Sequence, residues 1–259
     1  MTSGTAGPLQ LDVIGAGPAY TDRAGASGAA YLVRHGPTAL LLDLGQGSFP
    51  RLAGTLEPSS LDAVVISHLH PDHFIDLVAL RHYLHWQFKP ARRVRVIAPA
   101  GLAARLDALH DQPGFTVTSL DVEDVTPGTR TIGSLTVEAQ RVTHTRDSHA
   151  YRVAMADGAS PGLVYSGDCG RAEDLDALVR PGDTLLSEVS FGPGPVPPGA
   201  AHLDGPAVAA LANRTGAGAV LLTHLQMGFD ESATIQSVRS TFGGPVSLVA
   251  PGDRFAIGG

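Results

Sequence analysis

Apolar positions along the chain fall into short runs of two kinds. Leu9–Ile14, Ala29–Arg34 and Ala39–Leu44 are dense in aliphatic residues and read as strands, with His35-Gly36-Pro37 turning the second into the third. Leu61–Ser67 is a short, valine-rich run, the pattern of a strand buried on both faces, and it ends directly at His68. Phe74–Phe88 instead places Phe74, Leu77, Val78 and Leu84 at helical spacing and predicts a helix that stops before Pro90. Beyond it the pattern predicts a strand at Val94–Ala98, a helix at Leu102–Leu109, and strands at Thr116–Asp121 and Leu135–Val142. Ala150–Met155 and Gly162–Ser166 read as a hairpin pair. A helix at Ala172–Val179, a strand at Thr184–Glu188, a helix at Pro206–Arg214, a strand at Ala219–Thr223 and a helix at Ser232–Ser240 follow.

Strands dominate the first half and alternate with helices later, an order that suits sheets with helices packed outside them. No repeat, linker or second core stands out, so residues 1–259 are expected to form one α/β domain. The run Gly192–Gly199 (GPGPVPPG) is a stiff loop too short to separate domains. Gly15-Ala16-Gly17 is no dinucleotide fingerprint, because the third glycine of GxGxxG would fall at Tyr20; a tight turn is enough.

Composition narrows the function classes. The net charge is −7 and Lys89 is the sole lysine, so a long nucleic acid, which is gripped through clustered cations, is a poor partner. One cysteine, Cys169, allows no internal disulfide and fits a reducing compartment. No Lys or Arg precedes Arg23, no long apolar segment follows, and no run approaches the ~18 apolar residues of a membrane span. A cytoplasmic protein with no membrane partner is the expectation. Oligomeric state is not legible; a homodimer is compatible with the sequence.

The eleven histidines are unusual, and their positions carry the chemistry. His68 and His70 lie two apart at a strand end, where alternate side chains point the same way and can meet one ion. Asp72 and His73 follow where the chain turns into a helix, aimed at a neighbouring position. Four potential ligands in six positions are hard to read as loop polarity, and imidazole with carboxylate suits zinc, manganese or iron. Four residues do not fill two coordination spheres. His144, Asp168 and His224 each follow a predicted strand, so they are the candidates to complete the set.

The run Ser67-His68-Leu69-His70-Pro71-Asp72-His73 resembles the HxHxDH signature of the metallo-β-lactamase superfamily, and the later spacing resembles its phosphodiesterase branch, which includes ribonuclease Z and phosphoribosyl cyclic phosphate phosphodiesterase. The similarity runs from Leu11 to about Leu225. It implies a four-layer αββα sandwich with two divalent metals at the edge between the sheets. Zinc is the first expectation, with manganese or iron as alternatives. By the resemblance, His68, His70 and His144 bind one metal, Asp72, His73 and His224 the other, and Asp168 bridges both. Asp43 in Leu41-Leu42-Asp43-Leu44-Gly45 matches the aspartate that supports the metal loop. Two positions depart from the family pattern: Asp76 stands where glycine is usual, and Cys169 stands where threonine is common. Cys169 is read as a neighbour of the site, since the ligand set is complete without it.

The resemblance also implies hydrolysis by a hydroxide bridging the two metals, oriented by Asp72. His202, paired with Glu188, is the expected proton donor to the leaving oxygen. Arg146 and Arg171 are candidates to hold a substrate phosphate. His149 competes with His144, but Tyr151-Arg152 matches the family strand after its ligand and favours His144. His82 and His85 read as ordinary helix residues. The expected function is a phosphodiesterase acting on a small cyclic nucleotide or other cyclic phosphate ester. A tRNA 3′-processing endonuclease resembling ribonuclease Z is the alternative, disfavoured because the segment between His144 and Asp168 is too short for a tRNA-binding arm. A lactonase-type acyl hydrolase is also open. A di-iron redox role is disfavoured by His70, where such members carry glutamate.

Overall fold

A computed structural model describes residues 7–158 and 160–258. Six strands come first: β1 (Leu9–Gly15), β2 (Ala30–His35), β3 (Thr38–Leu42), β4 (Ala63–Val65), β5 (Val94–Ala98) and β6 (Leu120–Asp124). Seven more follow: β7 (Gly128–Ile132), β8 (Leu135–Val142), β9 (Ser148–Met155), β10 (Leu163–Tyr165), β11 (Thr184–Glu188), β12 (Ala219–Thr223) and β13 (Val246–Leu248). The last strand, β14 (Arg254–Ile257), returns to the first sheet, whose order is β14-β1-β2-β3-β4-β5-β6. The second sheet runs β13-β12-β11-β10-β9-β8-β7.

Strand β3 explains why two sheets stack. All five of its residues are buried. Leu40 and Leu42 point into the core between the sheets, while Leu41 points to the outer core against helices. A period of two with both faces apolar requires cover on both sides. Helices α1 (Phe49–Thr55), α3 (Leu77–Trp86) and α4 (Leu102–Leu109), with the single turn α2 (Pro71–Phe74) before α3, cover the outer face of the first sheet. Helices α5 (Gly205–Thr215) and α6 (Glu231–Arg239) cover the second through Val208, Leu211 and Val238. The result is an αββα sandwich, as the resemblance implied. Burying one such leucine stabilises the fold by about 1.5–3 kcal/mol, and three contiguous cores repeat that gain many times.

Several elements differ from the sequence pattern. The single helix expected over 74–88 is α2 and α3 separated at Ile75–Asp76. The backbone explains the break: the Asp76 N–H donates to the Leu44 carbonyl, and the Asp72 and His73 carbonyls accept the N–H groups of Ala29 and Leu44, so the helical ladder is interrupted there. The Asp76 carboxylate also accepts the Phe49 N–H at 2.8 Å and caps α1, while Ser48 turns its hydroxyl to Gly45. Thr116–Thr118 is a 3₁₀ turn, with the strand starting at Leu120. Residues Ala172–Leu175 form a 3₁₀ turn in place of a longer helix. Strands β7, β13 and β14 were not expected; β7 is a polar edge segment whose pairing, not composition, makes it a strand, while β14 is short and contributes Ile257 to the core between the sheets.

Inside the second sheet Arg152 on β9 reaches past β10 to Asp183, which precedes β11. Its Nε and Nη2 donate to both carboxylate oxygens at 2.7 and 2.8 Å, and both residues are buried. The backbone N–H groups of Gly162 and Arg180 donate to the same carboxylate. Among the described residues no helix is long and apolar enough to cross a membrane.

Candidate metal centre

The site forms where parallel strands end, the usual rim of an α/β sheet. Strands β3, β4 and β5 run parallel in the first sheet, as do β10, β11, β12 and β13 in the second. Beyond β3 comes Asp43, beyond β4 the His68–His73 run, beyond β8 His144, and beyond β10 Asp168. Glu188 closes β11 and His224 follows β12. Strand β4 stops two residues before Ser67, and His70 is extended (φ −83°, ψ 142°), so His68 and His70 still share one side. Pro71 then presets the first turn of α2, which carries Asp72 and His73.

Three ring nitrogens meet at the first position. His70 Nδ1 stands 3.0 Å from His68 Nε2 and 3.1 Å from His144 Nε2. At the second, His224 Nε2 lies 3.2 Å from Asp72 Oδ2 and 3.4 Å from His73 Nε2. Asp168 divides itself between them. Its Oδ2 is 3.7 Å from His68 Nε2 and 3.6 Å from His144 Nε2, and its Oδ1 is 3.3 Å from His73 Nε2 and 3.5 Å from His224 Nε2. Tetrahedral donors at about 2.0–2.2 Å from a zinc ion have edges of roughly 3.4 Å, so the spacing fits ions of that size.

The remaining ring atoms support this reading. His73 Nδ1 donates to Asp43 Oδ2 at 2.7 Å, and His144 Nδ1 donates to the Ala201 carbonyl at 2.8 Å. His224 Nδ1 faces Ser190 Oγ at 3.1 Å, and His68 Nδ1 faces Ser67 Oγ at the same distance. Fixing one nitrogen as donor leaves the other with a lone pair aimed at the centre, as metal-binding imidazoles require. Asp168 Oδ1 is buried and has no hydrogen-bond partner among the described residues. A buried carboxylate oxygen without a donor is costly unless a cation stands opposite it. The donor set therefore fits two divalent ions.

Electrostatics divide the cluster. Burial, reinforced by His73, drives His68 well below the ordinary imidazole range, and burial with His144 lowers His70. Burial opposes charge on His73 and His224 too, but Asp168 and Asp43 hold His73 well above that range, and Asp168 with Asp72 raises His224. Burial would raise Asp168, yet His224 and His73 keep its carboxyl well below the usual value. Two residues of the site depart from common backbone geometry: Asp43 (φ 58°) and His224 (φ 60°) are left-handed non-glycines, strain of the kind that collects at functional sites.

His202 and Glu188 lie beside the seven donors. His202 Nδ1 donates to Glu188 Oε1 at 2.9 Å, and the His202 ring packs 4.7 Å from that of His144. Burial opposes protonation of His202, but the hydrogen bond and charge of Glu188 raise its pKa. Glu188 is itself anchored by the backbone N–H of Cys169 and by both N–H and hydroxyl of Ser190. Cys169 is buried, its thiol is pushed up to about 12 by burial, and its Sγ turns to the Arg171 carbonyl, away from any ligand role.

Other candidates fall elsewhere. His149 is buried against Tyr151 and closest to Asp147, outside the donor cluster. His82 packs on His110 and Phe115, and His85 lies edge-on to Trp86. Arg146 and Arg171 are exposed, and neither guanidinium forms an ion pair among the described residues. Ser190, Tyr165 and the Ala201 carbonyl were missed. For Ser190 a signal existed, since it follows Glu188 by two at a strand end; nothing in the sequence marks a carbonyl. Gly15-Ala16-Gly17 is not the tight turn expected: Gly15 ends β1, and Gly17 bridges to Gly28. A Cβ at Gly15 would lie 1.9 Å from the Gly28 carbonyl, and the Ala16 carbonyl accepts the His224 N–H.

Comparison with known proteins agrees with this geometry. The chain is 30% identical to the uncharacterised protein Rv1339 of Mycobacterium tuberculosis over 261 aligned residues, covering 98% of this chain and 94% of that one. It is 30% identical to ribonuclease Z of Mycobacterium bovis, covering 70% of each chain. The crystal structure of the metallo-β-lactamase fold protein YhfI from Bacillus subtilis superposes with a TM-score of 0.84 at 24% identity, covering 96% of this chain and 99% of that one. The pattern of the beta-lactamase superfamily domain matches residues 40–225, from β3 to the residue after His224. The chain belongs to the metallo-β-lactamase superfamily, a family of metal-dependent hydrolases.

Proposed function

We propose that the protein is a dinuclear metal-dependent phosphodiesterase, cleaving a small cyclic nucleotide or another cyclic phosphate ester in the cytoplasm. The observation that carries this reading is the His202–Glu188 pair set beside the bridging carboxylate of Asp168. In this reading His68, His70 and His144 hold one ion, Asp72, His73 and His224 the other, and Asp168 both, with zinc the first choice and manganese or iron the alternatives. Two such ions, when bound, lower the pKa of water towards neutrality and neutralise charge on a phosphoryl oxygen.

The chain's own groups supply the rest. Asp72 presents a carboxylate at the second position and accepts a hydrogen bond from the attacking water, which orients it. His202 has its Nδ1–H committed to Glu188, so Nε2 carries the exchangeable proton. In the protonated ring that proton passes to the leaving oxygen, while Glu188 stabilises the positive charge before transfer. A phosphodiester with a basic alkoxide leaving group needs such a donor.

A tRNA-processing role is the weaker reading. The segment between His144 and Asp168 is taken up by β9 and β10, both paired within the second sheet. The net charge of −7 also opposes a long polyanion. The test is a side-by-side assay of bis-p-nitrophenyl phosphate, 3′,5′-cyclic nucleotides, a precursor tRNA, a lactone and a β-lactam reporter, with Zn²⁺ or Mn²⁺ and with chelator. Diester turnover that stops on chelation is expected. Robust lactone or β-lactam cleavage without diester activity reverses the assignment.

A further inference from the structure

The Ser190 side chain touches both halves of the proposed machinery. Its Oγ lies 2.5 Å from Glu188 Oε2, 3.1 Å from His202 Nδ1 and 3.1 Å from His224 Nδ1, and the residue is completely buried. A serine hydroxyl has one proton to give. The partner with no proton to offer is the Glu188 carboxylate, which already accepts the N–H groups of Cys169 and Ser190, so the hydroxyl proton goes there. Oγ can then only accept from the two imidazoles. Both must present Nδ1–H, which leaves the Nε2 lone pair of His224 pointed at Asp72 and Asp168.

We propose that Ser190 is a positioning residue that fixes His224 as a ligand through Nε2 by the placement of one hydroxyl proton, and that the same proton anchors the Glu188 carboxylate that orients His202. The proposal rests on the reading of His224 as a metal ligand and His202 as the proton donor. The backbone cooperates. His224 is held at φ 60° with its N–H on the Ala16 carbonyl, and Ser190 returns the contact through its own carbonyl, which accepts the Gln226 N–H. The ring is thus clamped from its main chain and from Nδ1. Without the hydroxyl, His224 loses its Nδ1 partner and its tautomer is no longer dictated, while His202 keeps only Glu188.

The experiment compares wild type, S190A and S190T for zinc binding, by competition with a chromophoric chelator, and for turnover of a cyclic nucleotide and of bis-p-nitrophenyl phosphate. Wild type binds two ions. In S190A the ion at the His224 position is expected to bind about 10–100-fold more weakly while the other is unchanged, and S190T restores the difference. S190A also loses more turnover on the alkoxide-leaving cyclic nucleotide than on the nitrophenyl ester, because the Glu188 carboxylate that orients His202 loses its hydroxyl anchor and only the former substrate needs the positioned proton. Equal weakening of both ions, or two ions held as tightly as in wild type, overturns the proposal. Failure of the underlying metal reading is distinct: wild type itself would then hold fewer than two ions.

Discussion

Nδ1 of His73 stands 2.7 Å from Oδ2 of Asp43, a buried pair at the floor of the site. The same carboxylate accepts the N–H and hydroxyl of Ser67 and the phenol of Tyr165, so four donors converge on one residue. Asp43 therefore locks the loop that carries His68 through His73. Replacing it by Asn keeps a side chain tolerant of φ 58° but substitutes an amide for the charge, and metal affinity should fall about 10–100-fold with the fold intact. D43A should lose affinity and also stability, because Ala in the left-handed region costs about 1–2 kcal/mol. Metal content after dialysis and thermal melts measure the two effects. A D43N protein that retains metal like wild type would contradict this.

The pH dependence follows from His202. Glu188 raises its pKa, so the protonated ring persists to higher pH than a free imidazole. Turnover of a substrate with an alkoxide leaving group should decline as pH rises through that raised value. E188Q removes the cause of the rise, and the alkaline limb should move to lower pH. H202A should cost a factor on the order of 10²–10⁴ on that substrate with metal content unchanged. A pH–rate profile of E188Q that superposes on wild type would remove the pair from catalysis.

The ion pair of Arg152 and Asp183 makes a stability prediction remote from the chemistry. Both groups are buried and bidentate, and D183A would strand the guanidinium and two backbone N–H groups. Loss of one partner of such a pair costs about 3–5 kcal/mol. Denaturant unfolding in saturating zinc should show that loss. The double variant R152M/D183A should recover part of it, and additive losses would deny the coupling.

The sequence was informative where chemistry is local and silent where it depends on folding. The run from His68 to His73 is legible because four donors crowd six positions, and His144, Asp168 and His224 are legible because each follows an apolar strand. Which oxygen of Asp168 faces which triad is not, since it depends on how two sheets lie against each other. The break at Asp76 was hidden for a related reason: the backbone groups of Asp72, His73 and Asp76 bond to Ala29 and Leu44 in the neighbouring strand region, and no spacing within 74–88 records that. Strand β7 has little apolar content and exists through pairing with β8, and β14 is only four residues long, too short for its apolar run to mark a strand before its pairing with β1 is seen. Ser190 was overlooked because a serine near a glutamate is ordinary until its three partners are seen.

The pairing of β14 with β1 has a consequence for the order of synthesis. Strand β1 is made before every other described strand, while β14, which closes its open side, is made after all of them. Through most of translation β1 is thus an unprotected edge, able to join a strand from another nascent chain. The segment after β1 also receives the His224 backbone through the Ala16 carbonyl, so the pocket cannot be completed until these two distant segments have met. Cations present early in biogenesis would find only the first half of their cage.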